Sequence, residues 1–316
     1  MTSSPFPIKP FRFGVQLPSP GDARSWVEQA RRIETLGYDI ATMPDHFDGQ
    51  LAPVPALQSV LDATTTLRAG ALVFDNDYKH PVVLAKELAT MDVLSEGRVE
   101  IGLGAGWMTS DYEQSGIQHD RAGIRIDRFV EGLAVIRGAM APGPFSFEGD
   151  HYKISDYDGL PKPVQKPQPP IIIGGGGRRV LSIAAREADI VGVNGTLHAG
   201  VIGAEAIATM TNAAVTEKVQ IVAEAAASRI NDIELHIRTF FVSVTHDRDT
   251  QLGEMAQLIQ VDESELAASP FALIGSPAKI AEDLTARREQ FGFSYITVGA
   301  EELDSFAPVV AELAGQ

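Results

Sequence analysis

Four consecutive glycines followed by two arginines are the part of this chain whose residue types point most directly to chemistry. The three isoleucines at 171–173 indicate a buried strand, and the arginines begin an apparent helix. Glycines let a ligand approach bare backbone N–H groups, and a helix N-terminus adds unpaired donors with a partial positive charge. A site for a phosphorylated cofactor is therefore predicted at Gly174, Gly175, Gly176, Gly177 and Arg178, with Arg179 nearby. A flexible glycine turn is the alternative.

A histidine next to an aspartate follows the second predicted strand. Histidine suits proton transfer because its unperturbed pKa of roughly 6.5 lies near neutral pH. We predict that His46 is catalytic, and a histidine that only hydrogen-bonds its own loop is an equally weighted alternative. Asp45 either orients His46 or begins a turn.

Composition limits the classes of protein. The chain has 316 residues, 44% of them hydrophobic, and this length fits a single α/β-barrel domain over residues 1–316. It has no cysteine, which excludes disulfides and thiolate catalysis and favours a reducing cytoplasm. We expect neither a secretory signal nor a membrane helix. The net charge of −16 makes nucleic acid an unfavourable partner.

Short apolar strands alternate with helices along the chain. The predicted strands cover residues 11–17, 38–43, 67–74, 99–103, 171–173, 190–193, 234–244 and 295–298. Eight such units predict a (β/α)8 TIM barrel. A doubly wound sheet would need its glycine fingerprint after the first strand, and none stands there. Residues 105–121 are interpreted as an irregular insertion and residues 144–155 as a hairpin.

In a barrel of this kind the catalytic groups lie at the carboxyl ends of the strands. Residues far apart in sequence are therefore predicted to converge in one mouth. Besides Asp45, His46 and the glycine run, the predicted set contains Asp75, Asn76, Gly104, Ala105, Gly106 and Trp107. Glycine at several strand ends suggests a flat ligand pressed against backbone.

Over nearly its whole length the chain resembles the bacterial luciferase-like superfamily, specifically its deazaflavin-dependent (coenzyme F420) oxidoreductases. The matching motifs are FGVQ at 13–16, MPDHF at 43–47, HPVVLAK at 80–86, DVLSEGR at 92–98, GLGAGW at 102–107, PPIIIGG at 169–175 and AD at 188–189. The resemblance implies an isoalloxazine-like ring in the barrel mouth, a small-molecule substrate and a homodimer.

The resemblance also assigns roles to residues. It implies a cis peptide bond within residues 71–74, so that Leu72, Val73 and Phe74 lie behind the ring. Asp75 and Asn76 would bond the polar edge of the ring, and Trp107 would form a wall of the pocket. His46 aligns with the histidine implicated in proton transfer in the sugar-phosphate dehydrogenase branch. That branch has a glutamate where this chain has Ala105, which argues against the same substrate.

Three functions remain open from the sequence. The first is an F420-dependent oxidoreductase that transfers hydride between the deazaflavin and a small organic substrate. The second is an FMN-dependent monooxygenase on the same barrel, and the third is a flavin-binding protein without turnover. Fold alone does not choose among them.

Overall fold

The computed structural model describes residues 4–17, 22–197, 200–201 and 203–316. The strands in chain order are β1 (Arg12–Gln16), β2 (Ile40–Met43), β3 (Arg68–Ala71), β4 (Phe74–Asp75), β5 (Ile101–Gly104), β6 (Phe145–Glu148), β7 (Lys153–Tyr157), β8 (Ile171–Gly175), β9 (Ile190–Val193), β10 (Glu234–Arg238), β11 (Phe241–Val244), β12 (Ala272–Gly275) and β13 (Phe293–Gly299). The helices are α1 (Ala23–Thr35), α2 (Pro53–Ala63), α3 (Pro81–Leu94), α4 (Thr109–Ser115), α5 (Ala122–Met140), α6 (Arg178–Glu187), α7 (Ala204–Ala208), α8 (Asn212–Ala226), α9 (Arg248–Ile259), α10 (Glu263–Ala268), α11 (Pro277–Phe291) and α12 (Leu303–Leu313).

The main sheet is a closed parallel barrel. Its order is β3-β2-β1-β13-β10-β9-β8-β5-β4, and β3 and β4 are two parts of one strand position. Closure comes from the pairing of Ala69 with Val99 and of β4 with β5. The ring therefore has eight strand positions, most of them separated by helices, and the predicted (β/α)8 barrel is confirmed.

The seventh predicted strand, 234–244, is wrong as a single element. It is divided into β10, which lies in the barrel, and β11, which pairs with β12 in a separate two-stranded sheet. The division falls at Thr239, whose backbone N–H and side-chain hydroxyl both donate to the carbonyl of Thr297 at 2.9 and 3.0 Å. Strand-forming residues continue without a break across this point, so the sequence pattern does not mark where the chain leaves the barrel sheet.

Two segments stand outside the alternating pattern. Residues 105–121 are not wholly irregular, because they contain α4, whose Asp111 and Tyr112 are buried. Strands β6 and β7 pair in antiparallel fashion and pack on α5, where Phe145 contacts the backbone at Gly138. Both segments lie against α5 or the barrel mouth, so they cover part of the barrel's upper end.

The barrel interior is filled at the amino ends of the strands, here called the bottom, and open at their carboxyl ends, the mouth. Alternate residues of each strand face inward. The bottom carries charged side chains, namely Arg12, Arg68, Glu100 and Glu234. An apolar layer above it consists of Ile40, Ile172, Ile190 and Tyr295, with Leu72 packed against it. One layer higher, three strands present glycine inward, at Gly104, Gly174 and Gly192. Small residues in this layer leave space where most TIM barrels hold bulky side chains.

The charged bottom layer depends on Glu100, which is 2% exposed. It accepts hydrogen bonds from Arg12 at 2.7 Å and from Arg68 at 2.9 Å. Replacing Glu100 by glutamine should lower the free energy of unfolding by about 2–4 kcal/mol, because two guanidinium groups lose a buried counter-charge. Urea denaturation measures this difference.

The matched control is Asp304→Asn, which breaks the ion pair with Arg32 on the surface, where the two side chains are 68% and 51% exposed. Exposed pairs contribute about 0–1 kcal/mol. Equal effects of the two substitutions would contradict the conclusion that the bottom layer depends on Glu100.

Candidate active site

A cavity of about 610 Å³ opens at the carboxyl ends of the barrel strands. This volume lies within the range of roughly 300–1,000 Å³ that small-molecule sites occupy. All of the residues predicted for the site contribute to the lining except Asn76. Residues from most of the strand ends therefore meet at one ligand-sized space.

One side of the cavity is a flat wall of glycines around Val73. The peptide bond between Leu72 and Val73 is cis, within the segment where the resemblance placed it. A Cβ atom added at Gly104 would come within 2.7 Å of the Val73 side chain, and one added at Gly174 within 3.4 Å. A side chain at either position would occupy the space over this wall. The wall therefore fits a planar ring.

The glycine run continues the wall into the start of α6. Gly177 is the N-cap residue and has no side-chain capping bond, so the first N–H groups of the helix remain available to an anion. The run is held close to the next strand end, because a Cβ atom at Gly176 would lie 2.2 Å from the carbonyl oxygen of Gly195. Thr196 donates to the carbonyl of Gly176 at 3.1 Å. The junction between β8 and α6 is therefore tied to the segment that follows β9.

The two arginines after the glycines have different surroundings. Arg179 forms an ion pair with Asp127 of α5 and donates to the carbonyl of Gly123 at 3.2 Å. Arg178 is largely exposed and lies 3.7 Å from Glu217. Arg178 is therefore the more available of the two to a bound anion.

His46 lines the cavity and is held by a buried carboxylate. Its Nδ1 lies 2.6 Å from Oδ2 of Asp111, which is 3% exposed. Asp111 also accepts from the hydroxyl of Tyr78 at 2.9 Å and from the backbone N–H of Phe47 at 3.2 Å. An aspartate at Nδ1 fixes the tautomer that carries its proton there and leaves Nε2 to exchange a proton with a ligand. The ring of Trp107 stands edge-on to the imidazole, with the centroids 5.6 Å apart.

Asp45 does not hold the imidazole, which corrects one of the two roles predicted for it. Its carboxylate accepts from the backbone N–H of Asp75 at 3.2 Å and so ties the ends of two neighbouring strands together. The residue that orients His46 is Asp111, which lies in a segment predicted to be irregular. Asp45 still lines the cavity, and burial raises its pKa to about 6.

Asp75 is a second buried carboxyl group at the cavity. It accepts from the backbone N–H of Asp77 at 2.9 Å and from the hydroxyl of Tyr112 at 3.0 Å. Burial raises its pKa to about 7, and the neighbouring charges of Asp77 and Asp45 act in the same direction. The side chain therefore changes its protonation state near neutral pH.

The raised pKa of Asp75 predicts a pH-dependent stability. Its folded value lies above its ordinary value of 3.8, so between the two values the folded protein binds more protons than the unfolded chain. The free energy of unfolding then falls as pH rises from about 4 to about 7. Asp75→Asn should gain stability relative to the wild type across this window, by up to about 4 kcal/mol above neutrality. Urea unfolding at several pH values measures this, and a difference that stays constant with pH would contradict it.

Asn76 is placed elsewhere than predicted. It is buried, its amide donates to the hydroxyl of Tyr152 at 3.3 Å, and its side-chain oxygen occupies the space over Gly132 of α5. It therefore joins the barrel to the hairpin and to α5, outside the lining of the cavity. The turn after β4 points Asp75 and Asn76 in different directions, which the sequence did not reveal.

Several lining residues were missed from the sequence, among them Gln16, Tyr78, Arg125, His236 and Arg238. Arg238 ends β10, so dividing the predicted seventh strand correctly would have found it. His236 precedes it by two residues and bonds Thr297 at 2.9 Å, and burial lowers its pKa to about 3. It is therefore a neutral imidazole at physiological pH.

The fold and the site together define a TIM-barrel protein with a ligand cavity, a histidine–aspartate pair and a glycine wall at its mouth. The profile of the family described as luciferase-like monooxygenase matches residues 8–295. The chain belongs to this family, whose members include oxidoreductases and monooxygenases.

Individual relatives differ in their cofactors. An FMNH2-dependent dimethylsulfone monooxygenase of Pseudomonas putida is 30% identical over 181 residues, which are 54% of this chain and 49% of that protein. An F420-dependent glucose-6-phosphate dehydrogenase of Amycolatopsis mediterranei is 30% identical over 237 residues, 72% of this chain and 66% of that protein. The chain thus spans about half to two thirds of the length of these curated relatives.

The fold is also found among solved structures. The coenzyme F420 dependent tetrahydromethanopterin reductase from Methanopyrus kandleri superposes with a TM-score of 0.77 at 18% identity, covering 96% of this chain and 98% of that one. Within the described residues, no helix is both long enough and apolar enough to cross a bilayer.

Proposed function

We propose that this protein is an F420-dependent oxidoreductase that transfers hydride between the deazaflavin and a small organic substrate. The observation that carries the proposal is the pair of His46 and Asp111, in which His46 lines the same cavity as the glycine wall around Val73 and Asp111 holds it from behind. A hydride transfer to or from a carbon–oxygen group needs a proton at the oxygen, and the pair supplies a group for that proton. The similarity to the F420-dependent dehydrogenase of Amycolatopsis mediterranei over 72% of this chain supports the choice of cofactor.

The residues that line the cavity are the ones that would hold the cofactor. Leu72, Val73 and Phe74 would lie behind the ring, with Gly104 and Gly174 beside it, and Asp75 would face its polar edge. The loop of Ala105, Gly106 and Trp107 would close the site from above. The phosphate would bind at Gly175, Gly176, Gly177 and Arg178. When bound, the deazaflavin supplies a carbon centre that accepts or donates hydride.

The protein's own groups handle the proton and exclude water. Nε2 of His46 takes the proton from a substrate hydroxyl or returns it to a carbonyl oxygen, and Asp111 stabilises the imidazolium that forms. Trp107, packed edge-on against the imidazole, limits the directions from which water reaches it. Asp45 is a second titratable group at the mouth, with a pKa of about 6 that suits proton exchange with solvent. The resemblance places a glutamate of the sugar-phosphate dehydrogenase branch at the position of Ala105, and its absence here argues against glucose 6-phosphate as the substrate.

An FMN-dependent monooxygenase is the second candidate. The similarity to the dimethylsulfone monooxygenase of Pseudomonas putida favours it, and the glycine wall accommodates either tricyclic ring. A binding protein without turnover is the third candidate.

Titration of the purified protein with F420 and with FMN separates these candidates. We expect F420 to bind more tightly, and the reduced cofactor to be consumed by a carbonyl substrate without oxygen uptake. Preferred binding of FMN together with oxygen consumption would replace the proposal by the monooxygenase. Binding without any redox change across a substrate panel would favour the non-catalytic protein.

We further propose a homodimer. The helix α3 keeps Val83, Val93 and Leu94 exposed at 49%, 39% and 62%, and a second copy of the chain would cover such apolar side chains. Light scattering after size exclusion measures the mass, and a monomer at micromolar concentration would contradict this part of the proposal.

A further inference from the structure

The inward-facing residues at the cavity divide it into two unlike halves. Four neighbouring strand positions, formed by β3 with β4, β5, β8 and β9, contribute the Val73 turn and the glycines. Of the other four, formed by β10, β13, β1 and β2, three contribute lining side chains that form hydrogen bonds, namely Arg238, Gln16 and, in the loop after β2, His46. A ring that lies on the glycine half leaves the polar half for the substrate.

Arg238 is the cationic group of the polar half. Its position on β10 lies four strand positions from β3 and β4, which is directly across the barrel from the Val73 turn. Its Nε donates to the side-chain oxygen of Gln16 at 2.6 Å, and a second nitrogen donates to the carbonyl of Thr239. Both partners are neutral. Among the described residues, no carboxylate is hydrogen-bonded to this guanidinium group.

A half-buried cation without a paired anion is unfavourable unless something else compensates it. Burial lowers the pKa of Arg238 to about 10, with Glu301 acting weakly in the opposite direction, so the group keeps its charge at neutral pH. The chain as a whole carries a net charge of −16, so a free anion enters this cavity only where a local cation attracts it. Arg238 supplies such a local cation on the side of the cavity that faces the proposed ring.

We propose that the substrate of this protein carries a carboxylate that binds Arg238 while its reacting carbon lies between His46 and the cofactor ring. The inference rests on the proposed function and adds the class of substrate, a hydroxy acid or the corresponding oxo acid. On oxidation the carbinol carbon gives its hydride to the deazaflavin and the hydroxyl gives its proton to His46, so that a carbonyl forms. Three strand spacings of about 4.8 Å separate β2 from β10 around the barrel. The carboxylate is therefore several bonds away from the reacting carbon.

Paired probes test this inference. Oxo carboxylates of four to eight carbons are each compared with the primary amide of the same skeleton, because the pair differs in charge and hardly in shape. Binding is measured by calorimetry on the protein alone and again on the protein loaded with F420. We expect the wild type to bind at least one carboxylate about tenfold or more tighter than its amide, since hydrogen bonds to charged groups are the stronger ones.

Two substitutions should remove the preference by different routes. Arg238→Met removes the cation, and Gln16→Glu places a carboxylate of the same shape against the guanidinium and neutralises it internally. Arg238→Lys should keep part of the preference, and Arg32→Met, which removes a surface cation outside the cavity lining, should keep all of it. Because Gln16→Glu preserves the arginine and its packing, it decides the question even if Arg238→Met folds poorly.

The outcomes separate this inference from the proposed function. A carboxylate preference that is absent in the wild type, or that survives both Arg238→Met and Gln16→Glu, would overturn the inference while F420 binding stands. If both variants instead weaken F420 binding and leave the carboxylate preference intact, Arg238 serves the cofactor and the inference is overturned. Failure of F420 to bind the wild type removes the proposed function, whereas the probes on the cofactor-free protein still report on Arg238.

Discussion

Replacing His46 by alanine is expected to lower kcat by about 10²–10⁴-fold, the usual contribution of a general acid or base. The affinity for F420 should change little, because the described contacts of the imidazole are with Asp111 and the edge of Trp107 and not with Val73, Gly104 or Gly174. Stopped-flow measurement of F420 absorbance with any substrate that the wild type turns over gives the rate. Added imidazole should restore part of the activity, which a purely structural loss would not allow.

Asp111→Asn is the companion variant, because an amide holds His46 in place without supplying a negative charge. It should lower kcat and shift the pH profile of kcat, while leaving the KM and the fold close to those of the wild type. Full turnover of His46→Ala with F420 still bound would remove His46 from the mechanism, and an unchanged pH profile in Asp111→Asn would do the same for the pair.

The second large effect concerns the glycine wall. Gly174→Ala should weaken F420 binding by roughly 10–100-fold, because a methyl group forced into a packed contact costs about 1–3 kcal/mol. The fold should tolerate the change, since the added Cβ lies 3.4 Å from Val73, at ordinary contact distance. Fluorescence titration with F420 gives the Kd, and thermal unfolding without cofactor shows whether the fold is preserved.

Gly203→Ala is the matched control, since a Cβ atom at that position has nothing within 4 Å among the described residues. It should leave the Kd unchanged. If Gly174→Ala binds F420 as tightly as the control does, the ring does not lie on this wall.

The sequence predicted the site well wherever a strand end was marked by glycine or by an acid next to a histidine. The Val73 turn also lines the cavity, but it was predicted from the family resemblance and not from the residues themselves. His46 and the residues from Gly174 to Arg178 line the cavity, because barrel closure brings strand ends together whatever their distance along the chain. Backbone geometry imposed by glycine leaves a local signal in sequence, and these elements carry it.

The two groups missed at the polar side of the cavity depend on tertiary structure. Arg238 ends β10, but the strand-forming residues continue past it into β11. The sequence therefore did not indicate that Arg238 lies at a strand end, at the mouth of the barrel. Asp111 reaches His46 only because α4 folds back over the barrel, a contact that spans 65 positions of the chain. The predicted partner Asp45 is adjacent in sequence, but its side chain turns toward the next strand instead. A sequence neighbour is thus a poor guide to which carboxylate orients a histidine.

The most direct test of the account is a crystal structure of the protein with F420 bound. The account predicts that the ring lies against Leu72–Val73 and Gly174 with its free face toward His46, and that the phosphate accepts hydrogen bonds from backbone N–H groups at Gly175–Gly177 and from Arg178. A ring bound on the polar side, or a phosphate anchored away from the start of α6, would contradict it.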